Sequence, residues 1–158
     1  MSKTPITSAL GEGEKSATGA ALQATLVDLI DLSLTAKQAH WNVIGEHFRS
    51  VHLQLDELVD IARDYTDQVA ERAAAIGISP TGKARTVAES TGLPDFPTGW
   101  HSTTEVVTAM EATLVGVIRG LRARIDETDK TDLVTQDLLI EASRKLEQAH
   151  WMWQTQLN

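Results

Sequence analysis

Apolar residues recur at three- and four-residue steps along four separate stretches of the chain. Leu22, Leu26, Leu29, Ile30 and Leu34 mark the first. That spacing places side chains on one face of an α-helix and predicts a helix over about 17–42. A second stripe follows Gly45: Phe48, Val51, Leu55, Leu58, Ala62, Tyr65, Val69, Ala73 and Ile76, with Gly77 as its stop. The third stretch runs from about Ser102 to Asp126, with Ser102 or Thr103 as N-cap and Glu105 in the first turn. The fourth runs from about Thr131 to Leu157 and again opens on Thr and Asp. No segment shows the strict alternation of a half-buried strand.

The links differ in length. Helices one and two, and three and four, are joined by short turns. Between two and three lies ISPTGKARTVAESTGLPDFPTGW, which holds three of the four prolines. This predicts a long connection with one short helix near Thr86–Ser90. Short links join antiparallel neighbours, whereas a long central link crosses the length of a bundle. The expected fold is therefore all-α: a ferritin-like four-helix bundle whose crossover between helices 2 and 3 carries a short extra helix. Residues 1–16, rich in Gly, Ser, Thr, Lys and Glu, read as a flexible N-terminal tail, leaving 17–158 as one bundle domain.

Composition narrows the chemistry. A chain of 158 residues can bury a real core. It has no cysteine, which excludes disulfides, thiolate catalysis and Cys-based metal sites. The net charge of −8 disfavours a polyanion partner and favours attraction of cations. The start lacks the apolar core of a signal peptide, and no apolar run reads as long enough to span a bilayer, so a cytoplasmic protein without membrane contact is expected.

The segment AHWNVIGEHFRSVHLQLD concentrates His40, His47 and His52, three of the five histidines, and Asp56 follows His52 by four positions. Residues i and i+4 share a helix face, so His52 and Asp56 suit one cation. Asp67 and Glu71 repeat the spacing further along the same helix. Fifteen residues separate Asp67 from His52, roughly 22 Å at 1.5 Å per residue, while metal–ligand bonds are about 2 Å. Either the pairs serve different sites, or two copies of this helix run antiparallel across a twofold axis and share each site. His40, twelve residues before His52, suits the same cluster. Mixed imidazole and carboxylate donors favour iron, zinc or manganese over calcium or magnesium.

K-Q-A-H-W-N, then V-H-x-x-L-D, then D-x-x-A-E-R, in this order and spacing, resemble the signature of the Dps family, the DNA-binding proteins from starved cells, which are mini-ferritins. The resemblance covers residues 17–157, including the closing HWMWQ. It implies a homo-dodecameric shell with ferroxidase centres between twofold-related subunits. His40, His52 and Asp56 match the ligands from one subunit, Asp67 and Glu71 those from its partner, and Trp41 the aromatic residue beside the centre. It also implies iron as the metal, Fe(II) and hydrogen peroxide as substrates, and storage of Fe(III) mineral inside the shell.

Other features have plainer readings. Asp126, Glu127, Asp129, Asp132, Asp137 and Glu141 suit helix capping and a solvated face; the resemblance implies that they line an acidic pore at a threefold axis where iron enters. His47 reads as a surface or interface residue, and Trp41 as either core or site. Trp151, Met152 and Trp153 read as packing anchors, with interface packing as the lesser alternative. Arg119, Arg122 and Arg124 read as salt-bridging surface residues. The tail sets only Lys3 and Lys15 against Glu12 and Glu14, and the C-terminus WQTQLN carries no basic extension. Direct DNA binding is therefore not expected, which weakens a nucleoid-compacting role. A metal-dependent amide hydrolase, for example of N-acyl amino acids, is the other rival, since a bound metal can activate water.

Overall fold

The computed structural model describes residues 4–157. Five helices form it: α1 (Glu12–Asn42), α2 (Phe48–Ala75), the short α3 (Ala84–Ser90), α4 (Thr103–Thr128) and α5 (Leu133–Gln154). The four long helices form the expected bundle, and α3 sits in the crossover against α1. The first helix begins at Glu12, earlier than apolar periodicity indicated. Its first turn is polar, but the Glu14 carboxylate accepts the Gly11 N–H at 3.0 Å, satisfying a donor that the helix cannot. The first three residues of the expected tail lie outside the described residues.

Local signals set the other ends. At the end of α2, Gly77 adopts φ +79°. Ile78 N–H donates to the Ala73 carbonyl and Gly77 N–H to that of Ala74, each at 2.9 Å, which is the Schellman pairing. Ile78 then packs where Gly19 of α1 has no side chain; a Cβ there would meet Ile78 Cγ1 at 2.9 Å. This contact ties the start of the crossover to the start of α1. Ser102 caps α4 in a reciprocal box with Glu105, and Asp132 caps α5.

One element departs from the sequence reading. Val43–Ile44 (β1) and His101–Ser102 (β2) pair in parallel, Val43 with His101 and Ile44 with Ser102. Two residues are too few for alternation to show. This bridge fixes the end of the crossover beside the end of α1, so the crossover runs the length of the bundle, and α2 and α4 start at the same end and run parallel.

The core is continuous, from Leu22, Leu29 and Leu32 of α1 through Leu55 and Leu58 to Met110, Leu114, Leu121, Leu139, Leu146 and Trp153. Helix α1 corrects one expectation. It contains an 18-residue window of mean hydropathy 1.2, long and apolar enough by length and composition to cross a membrane, with 61% of that window buried in the fold. That burial is what a central bundle helix requires. Of the closing aromatics, Trp153 is fully buried as an anchor, whereas Trp151 is 60% exposed and Met152 41% exposed. Arg124 is also not a surface residue: its side chain is 17% exposed and bonds Asp28 at 2.7 Å. Arg122 does bridge on the surface, donating twice to Glu147 at 2.7 and 2.9 Å.

Candidate metal centre

His40 lies in the last turn of α1, where a helix leaves carbonyls without intrahelical donors. The turn after β1 is tight: Gly45 has φ +107° and His47 is left-handed at φ 60°, the one non-glycine residue of positive φ among those described. It starts α2 so that His52 falls opposite His40.

The two histidines then exchange hydrogen bonds. His52 Nδ1 donates to the His40 carbonyl at 3.0 Å, and His40 Nδ1 donates to the His52 carbonyl at 3.0 Å. A carbonyl only accepts, so both Nδ1 atoms carry the proton. That leaves Nε2 of each ring as the atom through which a neutral imidazole binds a metal. The rings stack with centroids 3.6 Å apart and planes 23° apart, and Phe48 covers His52 at 5.0 Å. These contacts fix both rings before any ion arrives.

Asp56, one turn after His52, completes the group. One donor atom from each of His40, His52 and Asp56 lies within 4.8 Å of the others. That is close to the span of one ion's coordination sphere, whose bonds are about 2 Å. His40 is buried, while His52 and Asp56 are half-buried at the surface. Asp56 Oδ1 is 3.3 Å from His40 Nδ1. The same oxygen is hydrogen-bonded and ion-paired to Lys37 Nζ. That bond holds the Asp56 carboxyl below the usual range; His40, Lys37 and His52 add to the lowering, and burial opposes it.

Asp67 and Glu71 are not part of this cluster; both are exposed further along α2, and neither forms an ion pair among the described residues. Trp41 is 64% exposed in the single chain, which removes the core reading. His47 is exposed, as expected for a residue outside the ligand set.

The acidic group divides into parts. Asp137 and Glu141 share a groove of about 460 Å³ with Glu71 and Arg72. Asp126 lines a different groove, with Arg122, Arg144 and Glu147. Asp129 accepts from Gln136 Nε2 at 3.2 Å. Asp132 is 8% exposed and structurally engaged. Its carboxylate caps Val134 and Thr135 at 3.3 Å and pairs with Arg72 at 2.5 Å. Burial pushes its pKa up, but hydrogen bonds from Arg72, Thr135 and Val134, with the Arg72 charge, leave it below the ordinary value.

Sequence reasoning left Lys37 and Arg72 without roles, although both stand inside the quoted motifs. Their signal was spacing: Lys37 is three residues before His40 on the same helix face, and Arg72 directly follows Glu71.

A four-helix bundle with a lengthwise crossover and paired imidazole and carboxylate donors on facing helices defines the ferritin-like class. A sequence model of the ferritin-like domain matches residues 19–158. A DNA protection during starvation protein of Mycolicibacterium smegmatis is 37% identical over 130 residues, covering 82% of this chain and 71% of its own. The fine tangled pili major subunit of Haemophilus ducreyi is 33% identical over 138 residues, covering 87% of this chain and 73% of its own. Among solved structures, DpsA14 from Streptomyces coelicolor superposes with a TM-score of 0.93 at 34% identity, covering 100% of this chain and 95% of that one. The chain belongs to the Dps proteins of the ferritin-like family.

Proposed function

We propose that the chain is a subunit of a dodecameric mini-ferritin that oxidises Fe(II), with hydrogen peroxide as preferred oxidant, and stores the Fe(III) product. Family membership ties the chain to iron storage. One observation carries the finer reading: a preformed His40/His52/Asp56 half-site on one end of α2, with an acidic pair left exposed at the other end of the same helix. Roughly 22 Å along the helix separates the halves. A second copy running antiparallel across a twofold axis brings its Asp67 and Glu71 to this His52 and Asp56, and makes two equal sites per dimer.

The residues divide the work. His40 and His52 offer neutral nitrogens, and Asp56 with the partner's Asp67 and Glu71 offers negative oxygen. Such a mixed set holds iron in both oxidation states. Two Fe(II) ions supply the two electrons that reduce one peroxide, with two protons, to two waters, so no hydroxyl radical is released. Trp41, the chain neighbour of His40 and exposed in the single chain, is the aromatic residue that a partner subunit would cover in this assembly. Removing Fe(II) and peroxide together protects nearby molecules without DNA contact, in keeping with a charge of −8 per subunit. For the rival amide hydrolase no observation speaks as directly: the roughly 620 Å³ cavity between α1, α3 and α4 includes none of the three clustered ligands in its lining.

The test is a stopped-flow absorbance trace of anaerobic Fe(II) mixed with the protein and then peroxide or oxygen, with particle mass measured on the same sample. Fast Fe(III) formation with peroxide by a twelve-subunit particle is expected. A rate equal to the protein-free control from an assembled shell overturns the reading.

A further inference from the structure

Two candidate ligands, His40 and His52, stand beside Asp56, and a third group already occupies its carboxylate. Lys37 comes from α1, three residues before His40, and its ammonium sits on Asp56 Oδ1, the oxygen that also faces His40. The Lys37 side chain is 24% exposed and that of Asp56 40% exposed. Lys37 is thus tucked between the helices rather than extended into solvent. A cation is therefore already held on the carboxylate that the half-site would offer to a metal.

The charges make this contact informative. Counting the imidazoles in the neutral form that ligates a metal, the half-site carries one carboxylate and one ammonium, a sum of zero. Completion by a second copy adds the partner's Asp67 and the partner's Glu71, and the sum becomes −2, the charge that a divalent cation cancels.

We propose that Lys37 is an internal stand-in cation: it neutralises Asp56 in the single chain and yields to a divalent metal once the partner's two carboxylates are in place. The inference rests on the shared-site reading above. It makes Lys37 a positioning and selectivity residue rather than a ligand. It holds the Asp56 carboxylate ordered, and it couples metal capture to assembly, so that the isolated chain does not load iron at an open, incomplete site.

The test uses Co(II), read by its visible absorption, on the assembled protein. Lys37→Met keeps the apolar stem and removes the charge; Lys37→Arg keeps the charge. Both are compared in the unaltered chain and in an Asp67→Asn/Glu71→Gln background. Lys37→Met is expected to raise Co(II) affinity by about two- to fivefold, the range set by a partly exposed ion pair, while Lys37→Arg stays near the parent. With the acidic pair removed, Co(II) should fail to bind in the presence of Lys37 and bind measurably after Lys37→Met. Unchanged or weakened affinity in Lys37→Met, with melting temperature retained, overturns the proposal, since a group that only supports Asp56 would lower affinity when lost. If Lys37→Met does not fold, Lys37→Gln carries the same comparison. Unchanged affinity on removing Asp67 and Glu71 instead defeats the shared-site reading, whatever Lys37 does.

Discussion

The two ends of α2 carry the same kind of spacing and have been finished in opposite ways. At the N-terminal end, His52 and Asp56 are locked to α1 through a reciprocal pair of 3.0 Å hydrogen bonds, a ring stack and the Lys37 ion pair. At the other end, Asp67 and Glu71 have the i, i+4 relation but are exposed and unpaired among the described residues. What is fixed there is their neighbour: Arg72 is bonded to Asp132 and to Thr135 Oγ1 at 3.0 Å, which ties the helix to α5. One end therefore has its side chains preorganised, the other only its backbone. A shared site assembled from both ends would combine rigid imidazoles with carboxylates still free to adjust their coordination.

The sharpest way to break this pairing is to remove one residue from each end. His52→Ala and Asp67→Ala should each lower peroxide-dependent Fe(II) oxidation by about a hundredfold or more, since outer partners of ligands alone carry 10–100-fold. Subunits of the two variants, dissociated and reassembled together, form mixed dimers in which one of the two sites is intact. With random pairing, half the dimers are mixed, so about a quarter of all sites should recover. A mixture as inactive as its components would mean that the two ends do not meet.

The next largest effect is on stability. Asp132→Ala removes the α5 cap and leaves Arg72 without its anion, and should cost roughly 2–4 kcal/mol in urea unfolding. The pH dependence has a defined sign. The folded Asp132 pKa lies below its ordinary value, so the native state binds fewer protons than the unfolded one. Its contribution is complete above the unfolded value of about 3.9 and is lost as pH falls through the lower folded value. Asp132→Asn, which can still cap, should be less stable at neutral pH and should flatten this acid limb. His40→Ala comes third. It deletes one of the exchanged hydrogen bonds and the ring stack, and should cost about 1–2 kcal/mol in the same assay.

How much was visible in the sequence follows from which contacts are local. The bundle was legible because each long helix carries its own period, and its caps are written within a few residues: Ser102 with Glu105, Asp132, and Gly77. The His52/Asp56 pair was legible for the same reason. The His40 and His52 exchange was not, because it needs the angle at which α1 meets α2, set by the turn through His47. The β1–β2 bridge was hidden by its length of two residues. Asp132 was grouped with its acidic neighbours because sequence shows charge but not burial; Arg72 lies 60 positions away and decides its role. Trp41 shows the converse: composition suggests core, yet it is 64% exposed on a helix whose other face is already filled.

The smallest expected effect sharpens the contrast most. Asp67→Asn should leave the stability of the unassembled chain within about 0.5 kcal/mol of the parent, as for surface substitutions away from special features. Asp67 is exposed and has no ion pair to lose among the described residues, so no buried charge is orphaned. Any small gain would come from easing repulsion with Asp64 and Glu71, the acidic residues three before and four after it on α2. The same substitution should strongly impair Fe(II) oxidation in the assembled particle. Function lost with stability kept identifies a residue that works only across an interface, whereas His40→Ala loses both. Urea unfolding of Asp67→Asn and His40→Ala, with the oxidation rate measured on each preparation, separates the two patterns. A stability loss above 1 kcal/mol in Asp67→Asn would show that this carboxylate has a structural role within its own chain.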